Sequence, residues 1–157
     1  MSGRSNALIQ IAEKYPCQTY VEVGCRAGNT AVQLHKRFPL IEVILIDIND
    51  STLRKDLLKD VRYKFYHMSS IDASNRILDN SIDLIYIDAD HAYKYVLADI
   101  KAWLPKVKKG KIICGHDYSK IQHPGVVQAV DESFDADEIN LITDTDYNDV
   151  YVWWVRA

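Results

Sequence analysis

A doubly wound, mostly parallel α/β sheet ending in an antiparallel hairpin is the fold this sequence predicts, on three observations. Short aliphatic and β-branched runs alternate with amphipathic stretches along the chain, the order expected of βαβ units. Several runs, such as Glu42-Val-Ile-Leu-Ile-Asp47 and Ile82-Asp-Leu-Ile-Tyr-Ile87, are nearly continuous rather than alternating, as strands are when helices cover both sheet faces. The last two runs, residues 139–143 and 150–155, are joined by a short polar link without a convincing helix, so they pair antiparallel at one edge.

The elements follow in order. Ser5 is placed to cap a first helix whose apolar face is Ala7, Leu8, Ile11 and Ala12, with Pro16 beyond its end. A strand over 20–23, a helix over 30–38, a strand over 42–47, a short helix over 51–58 and a strand over 63–68 come next. A strand over 82–87 leads to a helix over 93–104, and Pro105 and Gly110 bracket the turn into a strand over 111–114. A helix over 126–134 precedes the final hairpin. Trp153 and Trp154 are neighbours on a strand and face opposite sides, so at least one packs in the core.

The chain of 157 residues fits one domain, 1–157, large enough to fold without a disulfide or metal staple. Its net charge of −3 lacks the basic excess of a nucleic-acid binder. The single basic cluster, Lys106, Lys108, Lys109 and Lys111, surrounds Gly110 and reads as a solvated turn. Cys17, Cys25 and Cys114 have no metal-type spacing and read as reduced thiols. No apolar run has the length of a membrane span and the N-terminus is not a signal peptide. A cytoplasmic location without a membrane partner is therefore expected.

In such a sheet, ligands bind beyond the carboxyl ends of the strands. The first strand delivers Glu22-x-Gly24-x-x-x-Gly28 there. Gly24 suits a tight turn and Gly28 a close approach of backbone to ligand. Arg26 stands where a dinucleotide fingerprint needs its middle glycine, which counts against a nicotinamide cofactor. Asp47, at the end of the second strand and nineteen residues after Gly28, suits the hydroxyls of a ribose. Cys25 and Asn29 offer backbone groups in the same loop. Ser69 and Ser70 follow the third strand, where an adenine would lie.

Three segments now carry a resemblance: Val21-Glu-Val-Gly-Cys-Arg-Ala-Gly-Asn-Thr30, Asp83-Leu-Ile-Tyr-Ile-Asp-Ala-Asp-His91, and Gly115-His-Asp-Tyr118 with Pro124-Gly-Val-Val-Gln-Ala-Val130. Together the chain resembles a class I S-adenosylmethionine-dependent methyltransferase, closest to the small-molecule O-methyltransferase-like group called methyltransferase family 24. The resemblance implies a Rossmann-like, seven-stranded sheet with a reversed strand in its final hairpin. It implies cofactor contacts at Glu22, Gly24, Gly28, Asp47 and Asp88, to which the loop adds Cys25 and Arg26 and the end of the third strand adds Ser70. Related O-methyltransferases hold a divalent metal with acids at two strand ends, which makes Asp88 and Asp117 candidate oxygen ligands and His116 a third. Magnesium prefers oxygen donors, so the histidine tilts the choice towards manganese.

Chemistry can also be read from the residues. Asp88, Asp90 and His91 end one central strand, and His116 and Asp117 end the next. So many ionisable groups at one edge need a cation, a substrate or solvent to satisfy them. Methyl transfer to a hydroxyl needs alignment and removal of a proton. Asp90, His91 or His116 could take that proton. A plainer role for Asp90 is to cap the next helix through the amide of Ala92 or Tyr93. Tyr118, His123 and Tyr147 are candidates for the substrate side.

The expected activity is O-methylation of a hydroxyl on a sugar-containing or phenolic small molecule or glycan. Two other classes fit: a catalytically silent S-adenosylmethionine-binding partner domain and a nicotinamide-dependent oxidoreductase. About seventeen residues precede the first strand, which offers little material for a lid. A lid from another subunit, as in a homodimer, is compatible with that brevity.

Overall fold

The computed structural model describes residues 2–157. A seven-stranded sheet forms the middle layer, built from β1 (Thr19–Val23), β2 (Glu42–Asp47), β3 (Tyr63–His67), β4 (Ile82–Ile87), β5 (Val107–Tyr118), β6 (Asn140–Thr143) and β7 (Tyr151–Arg156). Their spatial order is β3-β2-β1-β4-β5-β7-β6. Strands β1 to β5 are parallel, and β7 runs antiparallel to both β5 and β6. The hairpin predicted from the short polar link is present, with β7 inserted between β5 and β6.

The helices are α1 (Gly3–Lys14), α2 (Asn29–Arg37), α3 (Ser70–Ser74), α4 (Tyr93–Trp103) and α5 (Pro124–Ser133). On one face α1 and α2 cover Tyr20, Val43, Leu45, Leu84 and Tyr86. On the other, α3, α4 and α5 cover Val21, Ile44, Ile46, Ile85 and Ile113. Successive strand residues alternate between these layers, so every residue of β4 is buried. Trp153 belongs to the second layer and Trp154 packs against the first.

Four local readings change. Ser2, not Ser5, caps α1 by accepting from the Ser5 amide, and Ser5 is buried within the helix. The helix expected over 51–58 reduces to turns and one 3-10 turn, Leu57–Lys59. There Asp47 accepts from the Asn49 amide and the Asn49 side chain from the Ser51 amide, and such side-chain bonds compete with a helix start. The lysines near Gly110 lie on or beside a strand extended through Tyr118, with Lys106 paired to Asp79 and Lys108 and Lys111 to the buried Asp83. They are not simply a solvated turn. Finally, α3 is capped by Ser69, which accepts from the Asp72 amide; its single turn is too short to leave a periodic pattern.

The order in which strands are added reverses between β1 and β4, with β2 and β3 on one side and β5 on the other. Their carboxyl ends flank the crevice where such folds place ligands.

Candidate functional site

A cavity of about 730 Å³ lies at this crevice, with Arg4, Glu22, Gly24, Cys25, Arg26 and Asp88 among its lining. The loop after β1 is drawn across to β2, because the Gly24 and Cys25 amides both donate to the Ile46 carbonyl, at 2.9 and 3.2 Å. Gly24 has φ +80°, and a Cβ there would stand 2.3 Å from the Asp88 carbonyl oxygen. That position tolerates no side chain. Arg26 also lies in the left-handed region, φ 48°, where its amide donates to Asp47 Oδ2 at 2.8 Å. Asp47 thus ties the loop to the end of β2. Gly28, φ +74°, precedes α2 as its cap, and a Cβ there would stand 2.9 Å from Leu57 Cδ1 and 3.3 Å from Leu45 Cδ1.

Ser70 lies away from the cavity, its hydroxyl accepting from the Trp103 indole at 2.8 Å. Glu22 is buried at the cavity floor and accepts from the Tyr20 hydroxyl at 3.0 Å. Burial pushes its carboxyl up to about 8, against the Tyr20 bond and with help from Asp88.

The short N-terminal segment, expected to offer little cover, forms part of the wall. Gly3 donates to Asp146 Oδ2 at 2.8 Å, docking the start of α1 on the β6–β7 link. Arg4 then reaches inward and pairs with Asp88 Oδ2 at 2.8 Å. The pairing keeps Arg4 charged against the cost of burial. Asp88 is itself pushed up by burial and by Asp117, with His116 and Arg4 opposing. Sequence reasoning missed Arg4 and Asp144, since nothing local marks an arginine near a chain end or an acid in a polar link as a site residue. Tyr147, from that link, also lines the cavity.

Beyond Asp88 lies a cluster of acids and histidines. Asp117, at φ 58°, has His91 Nε2 2.7 Å from Oδ2 and His116 Nδ1 3.0 Å from Oδ1, with His123 Nε2 3.5 Å from Oδ1. The first two are close contacts out of line for a hydrogen bond. His116 is almost wholly buried, and its Nε2 is bonded to Asp144 Oδ2 at 2.6 Å. Burial opposes charge on His116, but Asp117 and Asp88 outweigh it and raise its pKa. Asp117 shifts the other way: burial works against its charge, yet His116 and His91 hold it well below the usual carboxylate range. His91 is raised by Asp117. Asp90 is exposed, and its Oδ1 accepts from the Ala92 amide at 2.7 Å, fixing the turn into α4.

Asp88, His116 and Asp117 bring three donor atoms within 4.8 Å of one another. They do not fit a divalent ion. Both His116 nitrogens face carboxylates, and the Arg4 guanidinium already supplies the positive charge at Asp88. Tyr118, the remaining substrate-side candidate, points to α5 and donates to Asp131 at 2.7 Å. Among the described residues no helix is long and apolar enough to cross a membrane.

Residues 21–118 match a family model described as a methyltransferase domain. An uncharacterized protein of Acanthamoeba polyphaga mimivirus is 30% identical over 128 residues, which cover 73% of this chain. The chain spans 58% of that relative's length. Among solved structures, the cofactor-bound protein Rv0187 from MTB is similar with a TM-score of 0.77 at 13% identity, over 98% of this chain and 79% of that one. An O-methyltransferase from Bacillus cereus in complex with SAH is similar with a TM-score of 0.73 at 14% identity, over 98% and 80%. At such identities these likenesses speak to the fold.

Proposed function

The chain belongs to the methyltransferase domain family, and from that membership we propose that it binds S-adenosylmethionine in the 730 Å³ cavity and methylates a hydroxyl group. The observation that carries the reading is the Arg4–Asp88 pair, two opposite charges 2.8 Å apart beside the Gly24 loop. A ligand with an amino-acid end matches such a pair. Its ammonium goes to Asp88 and its carboxylate to Arg4, so each charge keeps a partner as water leaves. The SAH-bound and cofactor-bound neighbours support the same choice of ligand. Asp47, with its oxygens already accepting from Arg26 and Asn49, has lone pairs left for a ribose hydroxyl.

Transfer then needs alignment and one proton acceptor. The acceptor hydroxyl's oxygen forms the new C–O bond as the C–S bond breaks and its electron pair returns to sulfur. The hydroxyl proton passes to Asp90, which keeps one oxygen on the Ala92 amide and offers the other. His91 is turned to Asp117 and His116 is enclosed, so neither is the better base. A sugar-containing or phenolic small molecule is the acceptor class proposed. No step runs through a metal.

Calorimetric titration with SAH and with NADH tests the cofactor. SAH binds, and Arg4→Met weakens it at least about tenfold, the lower end of a charge-assisted bond. Tighter NADH than SAH binding overturns the reading. SAH binding without methyl transfer to any sugar or phenol hydroxyl would favour the silent partner domain.

A further inference from the structure

We propose that His91, Asp117 and His123 form a binding site for a first-row divalent transition metal such as zinc, sharing only Asp117 with the trio that the family resemblance points to. Each donor comes from a different element: His91 from the turn after β4, Asp117 from the end of β5, and His123 from the residue before α5. One atom of each lies within 4.8 Å of the other two. The two imidazole rings are tilted at 54° to one another with centroids 4.4 Å apart, and both Nε2 atoms approach the same carboxylate, at 2.7 and 3.5 Å.

Two imidazoles and one carboxylate make the borderline donor set that zinc and its neighbours take, at about 2.0–2.2 Å each. Magnesium prefers oxygen alone. Three protein ligands leave open positions for water or an oxygen ligand.

The two histidines are available in a way that Asp88 and His116 are not. His91 Nε2 is shielded from solvent, and its 2.7 Å contact with Asp117 Oδ2 is out of line for a hydrogen bond, so the nitrogen is not committed to a well-formed bond. His123 precedes α5 but makes no side-chain cap. The two side chains are 41% and 28% exposed, so they can close on an ion without disturbing the core.

His116 has a part from behind. Its Nδ1 lies 3.0 Å from Asp117 Oδ1, and its Nε2 is anchored on Asp144 at 2.6 Å. This orients the carboxylate and leaves Oδ2 turned towards His91. Groups that hold a ligating carboxylate in this way are a regular part of built metal sites. A protonated cluster and a metal site compete for the same nitrogens, so binding releases protons and weakens as pH falls.

The test is titration of the full chain with cobalt(II), followed by visible absorption, and with zinc(II), followed by calorimetry. One equivalent should bind with the bands of mixed nitrogen and oxygen coordination. His123→Gln and His91→Gln should each lower the affinity at least tenfold, with the metal-free melting temperature unchanged, while Asp88→Asn should leave binding intact. Absence of stoichiometric binding in the wild type overturns the proposal. So does loss of binding in Asp88→Asn with retention in His123→Gln, which would place the ion in the deeper trio. Neither readout depends on methyl transfer, so the proposal and the proposed activity can fail separately.

Discussion

Glu22 carries its carboxyl at the floor of the cavity with only the Tyr20 hydroxyl as a direct side-chain partner. Burial raises it to about 8 from an ordinary 4.5. A carboxyl raised by folding stabilises the native state fully below its unfolded value, and that contribution is lost as pH rises through the folded value. The ligand-free protein should therefore lose stability between about pH 4.5 and pH 8, and Glu22→Gln should flatten that fall. Denaturant melts across this range measure it; equal slopes in the two proteins would refute the assignment. Gly24 is the other residue whose identity is fixed by one contact. Gly24→Ala meets the Asp88 carbonyl at 2.3 Å with φ at +80°, and should cost about 1–3 kcal/mol or more. It should also weaken SAH binding, because relief requires the loop to move. A melting temperature and an SAH affinity both equal to wild type would argue against the tight turn.

Among elements, α3 shows what patterning cannot reveal. It is one turn long, and it is held by Ser69 at its start and by the Trp103 indole from α4, which donates to Ser70. Trp103 is fully buried. Ser70→Ala leaves its N–H unpaired and should destabilise by about 1–3 kcal/mol, with no change in SAH affinity, since Ser70 stands away from the cavity. Chemical denaturation and calorimetry together check both halves of that statement; a clear loss of SAH affinity would return Ser70 to the cofactor site. Where elements were long and strongly patterned, as in β2, β4, α4 and β7, sequence and structure agree closely. Where side chains compete for backbone groups, as over residues 47–51, the expected helix gives way to turns.

For the whole molecule, the site is completed by a contact between segments far apart in the chain. The start of α1 docks on the link between β6 and β7, and Gly3 packs so closely that a Cβ would lie 2.0 Å from Asp144 Oδ1. Gly3→Ala should therefore cost about 1–3 kcal/mol as an overpacked contact. At roughly 2–4 °C per kcal/mol for a chain of this size, that lowers the melting temperature by several degrees. Because Arg4 follows directly, SAH affinity should fall with it. A melt and a titration of the same variant check the coupling, and a stability loss without any loss of affinity would detach Arg4 from cofactor binding.

By itself the sequence determined the parallel sheet, its closing hairpin, the Gly24 loop and the strand ends bearing Asp88, Asp90, His91, His116 and Asp117. These follow from periodicity and from the rule that ligands gather at strand carboxyl ends, both properties of short segments. Only the tertiary structure decided which of those groups are free. It set Arg4 against Asp88, enclosed His116 between Asp117 and Asp144, and brought His123 beside His91. Those pairings join residues far apart in the chain, and whether a histidine is ligand, base or scaffold depends on what faces each nitrogen. No local pattern carries that information.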